Sequence, residues 1–228
     1  MRCRQFTIAL THFALLQIPF AGSQAQEQAS APPIDTVAMA RKIQDEVATI
    51  RGLPFKRTVE AKSQTAEEFR EYLDERIQTT VPESIKTHYG KVVRKLGLYR
   101  GPEIEDAPAL MKSVTASQAA AYYDPQTSTV YVLTPNLSEL AMGVLFSHEL
   151  YHGLQDQYFD LQTYMRMNER EVQDNDVQLA RQAVVEGEAT YMMSMWMLQR
   201  MTGQASTRQT MEPVVRMQSA MDMSMVAA

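Results

Sequence analysis

Apolar positions recur at helical spacing along most of the chain, and only a short stretch near its middle alternates as strands do. Asp35 stands as an N-cap before a helical pattern that runs to about Ile50 and stops at Gly52 and Pro54. Residues 55–60 read as a short strand. Thr65-Ala-Glu-Glu68 has capping-box spacing, and the helix it opens places Phe69, Tyr72, Leu73 and Ile77 on one side. Another helix is expected over 82–96, closed by Gly97. Beyond Pro102 the texture changes. Residues 119–123 and 127–133, rich in Tyr, Val and Thr, flank Asp124-Pro125-Gln126 as a hairpin. Residues 136–156, capped by Asn136 or Ser138, and residues 174–201 read as two long helices. The inner half of the second, AVVEGEATYMMSMWM, is apolar on nearly every side and is expected to be buried. The sum is a helix-rich α+β fold with a small sheet or hairpin beside the first of these two helices.

Composition narrows the function classes. The chain has 228 residues, 45% of them apolar and 21% charged, which suits one domain or at most two small ones. With 22 Lys+Arg against 27 Asp+Glu it lacks the basic balance of a nucleic-acid binder, so no nucleic-acid partner is expected. The one cysteine, Cys3, excludes a disulfide framework and a thiolate metal cluster. A metal site here must be built from His and carboxylates.

Residues 1–25 have the pattern of a secretory signal peptide. Arg2 and Arg4 precede a mostly apolar run over 6–20, and Ser23 and Ala25 occupy the −3 and −1 positions of a cleavage site. The run is too short, and too interrupted by Thr11, His12, Gln17 and Pro19, for a comfortable membrane span. No later segment approaches ~20 uninterrupted apolar residues, so an exported (periplasmic or extracellular) protein with no stable membrane span is expected. Residues 26–34 form a polar, Pro-containing linker, and 35–228 one domain.

Chemistry concentrates in HELYH, His148 to His152. Two His four apart lie on one helix face, one turn apart, where their imidazoles can converge on a single ion. Neutral imidazoles suit zinc, and zinc with three protein ligands keeps a fourth position for water. Glu149 adjoins the first His, where its carboxylate can take a proton from that water without ligating the metal. A third ligand is sought in Glu186-Gly187-Glu188-Ala189, where a carboxylate among apolar neighbours is costly unless paired or bound to a metal. Glu186 and Glu188 lie ~200° apart around a helix, so only one should face the site. Glu186 shares its face with Ala183 and Ala189, and with Gly187 beside it two helices can approach closely, which favours Glu186. Glu188 is then a solvated or ion-paired acid, with Arg181 as a partner.

HELYHGLQDQYFDL followed by VVEGEATY resembles the gluzincin-type zinc metallopeptidases, and is similar to predicted bacterial metallopeptidases with an HELxHxLQDQ helix and a later EGEA helix. The upstream AAYYDPQTSTVYVL resembles that group's strand pair, and the likeness spans about residues 50–200. The resemblance implies a zincin-like fold, a peptide or protein substrate, and Glu186 as third zinc ligand. It also implies a strand over 130–133 beside the active-site helix, to which a substrate would add as an extended strand. Gluzincins usually supply a later Tyr or His to stabilise the oxyanion. None stands between Gly203 and Ala228, so the chain looks C-terminally truncated beside the family, and neither Tyr151 nor Tyr191 is assigned the role.

Other features read more plainly. His88 is expected at the surface or partly packed. Asp156, one turn after His152, either orients that imidazole or is an ordinary helix-end residue. Ten of the sixteen Met lie between Met192 and Met225; thioethers bind Cu(I), but within an apolar helix they read as core filler. The rivals to a zinc peptidase are a non-catalytic zinc-binding module and a metal-free helical interaction domain.

Overall fold

A computed structural model of the chain describes residues 35–81, 83–97, 106–134, 137–165, 175–205, 207 and 209–216. The expected signal peptide and linker, and the Met-rich stretch from 217 onward, lie outside the described residues. The order is α1 (Thr36–Arg51), β1 (Glu60–Ser63), α2 (Ala66–Thr80), α3 (Glu83–Lys95), α4 (Ala107–Gln118), β2 (Ala121–Asp124), β3 (Thr129–Val132), α5 (Glu139–Phe159), α6 (Leu161–Tyr164) and α7 (Asn175–Thr202). This is a helix-rich α+β fold with a small three-stranded sheet. Among the described residues no helix is long and apolar enough to cross a membrane.

Local chemistry sets the helix ends as expected. Asp35 caps α1 by accepting from Val37 and Ala38, and Gly52 ends it at φ 72°, a conformation that costs glycine little. Thr65 and Glu68 close the capping box of α2. Ser138 caps α5. Two helices were not expected: α4, which Asp106 caps by accepting from Ala109, and the single turn of α6.

The sheet corrects the strand reading. Residues 55–59 are not a strand, because their polar groups are taken by helices instead. Gln157 of α5 accepts from the N–H groups of Lys56 and Arg57, and Gln44 of α1 accepts from Val59 N–H at 2.9 Å while donating to its carbonyl at 3.0 Å. Pairing begins only at Glu60, where β1 runs parallel to β3. β2 and β3 form the expected antiparallel hairpin. The order β1-β3-β2 puts β3 in the centre with both edges occupied, so no substrate strand can add at 130–133. The outer edges belong to β1 and β2.

The sheet has two covered faces. Ala61, Tyr123, Val130 and Val132 pack with Ile43 of α1 and Phe146 and Leu150 of α5, while Tyr122 packs on Phe69 and Leu73 of α2. α5 is the axis of the molecule: every residue from Met142 to Gln155 is buried. α7 is less enclosed than its composition suggests. It buries one stripe, Val185, Ala189, Met192 and Trp196, at helical spacing, while Val184, Met197 and Met201 are exposed. Where α5 and α7 pack, Gly143 leaves room for the Trp196 ring, from which a Cβ would lie 2.3 Å. Gly187 and Ala183, expected to ease the helices' approach, do not: Gly187 has nothing within 4 Å of a built Cβ, and Ala183 is exposed.

Candidate metal centre

α5 presents His148 and His152 on one face, one turn apart, with ring planes at 86° and Nε2 atoms 3.1 Å apart. From α7, Glu186 places Oε2 3.4 Å from each of those nitrogens. The three donors form a nearly equilateral triangle, and they lie close enough to hold a metal ion. A tetrahedral ion with bonds of ~2.0–2.1 Å separates its donors by ~3.3–3.4 Å, which matches the sides of this triangle. Glu186 Oε2 is buried, makes no close hydrogen bond among the described residues, and meets the two imidazole nitrogens at 3.4 Å. A buried carboxylate so placed needs a positive partner, which a proton on His152 supplies in the metal-free protein and a divalent ion would supply to all three donors at once.

The protein's own charges prepare these groups unequally. Burial alone would lower the His152 pKa, but the polar contact with Glu186 outweighs it and raises the imidazole to about 9. Burial likewise opposes ionised Glu186, yet its contacts with His148 and His152 hold the carboxyl well below the usual range. For His148 burial prevails and the pKa falls. Without a metal, then, one proton belongs to the His152–Glu186 pair.

Glu149 lies beside the triangle and outside it. Its Oε2 accepts from the Tyr123 N–H of β2 at 2.9 Å. Burial pushes its carboxyl up to about 8. A general base near neutrality is tuned this way, by an apolar setting that disfavours the charged form.

The sequence-predicted residues thus divide. His148, His152 and Glu186 come together, with Glu149 adjoining them. Glu188 faces elsewhere and is ion-paired, with Arg51 at 3.0 Å and not with Arg181, which lies over the Tyr164 ring. Asp156 does not orient His152: it accepts from the Tyr123 hydroxyl at 2.8 Å and from Leu161 N–H. Gln155 takes that part, its Oε1 lying 2.9 Å from His152 Nδ1. Sequence reasoning passed over Gln155, although its position three residues after His152 puts it on the same helix face. The Tyr151 hydroxyl is engaged by Arg51 Nε at 2.8 Å, Tyr191 is half-buried on α7, and His88 is exposed on α3. Comparison with family models, curated proteins and solved structures finds no match for this chain.

Proposed function

We propose that the protein is a zinc-dependent metallopeptidase, exported by residues 1–25, in which His148, His152 and Glu186 hold the metal and Glu149 is the general base. The observation that carries this reading is the adjacency of a zinc-sized donor triangle to a buried carboxylate that is not part of it. A His2Glu set with such a neighbour is the hydrolytic arrangement of zinc enzymes, and the resemblance of HELYHGLQDQ and EGEA to gluzincin motifs points the same way.

Bound zinc supplies Lewis acidity and lowers the pKa of water toward neutrality. The rest falls to the chain. Glu149 receives the proton of the attacking water and passes it to the leaving amine. The Tyr123 N–H fixes one of its oxygens at 2.9 Å, leaving the other for the water. β2, which supplies that N–H, is buried along its length, so at Tyr123 its outer edge orients Glu149 of α5.

The test is hydrolysis of a quenched-fluorescence peptide library by zinc-loaded protein. Cleavage abolished by chelation and restored by zinc is expected. A fully zinc-loaded protein that cleaves nothing contradicts the peptidase reading and leaves the non-catalytic zinc module.

A further inference from the structure

Gln155 is held so that its amide has only one acceptable orientation. Its Nε2 lies 3.1 Å from the Val185 carbonyl and 3.1 Å from Glu188 Oε2. Both neighbours are acceptors only, so the amide N–H groups must point to them. Turning the amide over would set its oxygen against a carbonyl and a carboxylate. The Oε1 is therefore directed at His152 Nδ1, 2.9 Å away, and can only accept there. Nδ1 must carry a hydrogen, so Nε2, which faces His148 and Glu186, is the nitrogen whose lone pair is freed when His152 loses its second proton. Glu188 is itself fixed, since its other oxygen pairs with Arg51 at 3.0 Å, and Arg51 is braced by the Tyr151 hydroxyl at 2.8 Å. His148 has no such device: its Nδ1 is buried without a hydrogen-bond partner among the described residues.

Resting on the metal-site reading above, we infer that Gln155 and Glu188 are positioning residues that impose on His152 the tautomer able to bind zinc through Nε2, with Arg51 at the end of α1 anchoring the relay. The second acid of EGE thus serves the same ion as the first, at one remove. Outer partners of this kind are typically worth about 10–100-fold in metal affinity.

The test compares zinc affinity, by chelator competition, for the wild type, Gln155→Leu and Glu188→Gln. Leu removes the acceptor at Nδ1. Glu188→Gln lets the Gln155 amide turn over, because the new side chain can donate to its oxygen. Both variants should lose about 10–100-fold. In the zinc-loaded wild type, the 15N ring spectrum of His152 should show a protonated Nδ1, a readout independent of how the variants fold. Wild-type affinity in Gln155→Leu, or zinc on Nδ1, would each overturn the proposal while leaving the metal site standing. A wild type that takes up no zinc overturns both.

Discussion

The Tyr123 backbone N–H donates to Glu149 Oε2 at 2.9 Å, so an outer strand of the sheet holds the carboxylate that adjoins the histidine pair. An amide oxygen can accept the same hydrogen bond. Glu149→Gln should therefore fold and bind metal as the wild type does, while hydrolysis falls by about 10²–10⁴, the usual worth of a positioned general base. Metal content and turnover on one preparation check this. Loss of the metal would place Glu149 among the ligands, and surviving hydrolysis would remove it from the chemistry.

The pH dependence has a definite sign. Glu149 is raised from 4.5 to about 8 and His152 from 6.5 to about 9. Both hold protons more tightly when folded, so their stabilisation is complete below the unfolded values and is lost as pH rises through 8 and 9. Glu186 runs oppositely, but its loss falls in strong acid. The melting temperature of metal-free protein should thus decline from about pH 5 to pH 9. Zinc uptake near neutrality should displace the His152 proton, and calorimetry in buffers of different ionisation enthalpy should register proton release that fades above about pH 9. Uptake without proton release would contradict the assignment.

Gly143 of α5 lies against the Trp196 ring of α7, and that ring cannot easily retreat, because Trp196 Nε1 donates to Glu46 at 2.6 Å. Gly143→Ala should cost about 1–3 kcal/mol by overpacking, read from denaturant unfolding. An unchanged midpoint would show that the helices separate freely.

Gln44 completes both backbone groups of Val59 within the core, as a neighbouring strand would. Gln44→Leu leaves an N–H and a carbonyl unpaired, at about 1–3 kcal/mol for each group. Loss of less than 1 kcal/mol would mean that water reaches them.

Much of this was legible in the sequence where the signal is local. Asp35, Thr65 with Glu68, and Ser138 act through neighbours two or three residues away, and the caps form where the residue types predict. His148 and His152 are likewise related by a single helical turn. The third donor of the triangle, Glu186, was legible more by the cost of a buried carboxylate than by the small residues around it, since Gly187 has open space at its Cβ and Ala183 is exposed. Long-range partners were not legible. Residues 55–59 carry strand-like residues but bond to Gln44 and Gln157, and only the assembled fold brings β1 alongside β3. The run Gln155-Asp156-Gln157 shows the same limit. The three side chains meet different partners, His152, the Tyr123 hydroxyl and the Arg57 carbonyl, and no spacing within the run announces which one serves His152.

The most direct test of the central claim is metal content by mass spectrometry on the purified wild type beside His148→Ala and Glu186→Ala. About one zinc per chain in the wild type, lost or much weakened in both variants, is the expected result. Zinc retained in Glu186→Ala, iron in place of zinc, or no metal in a folded wild type supplied with zinc would contradict it.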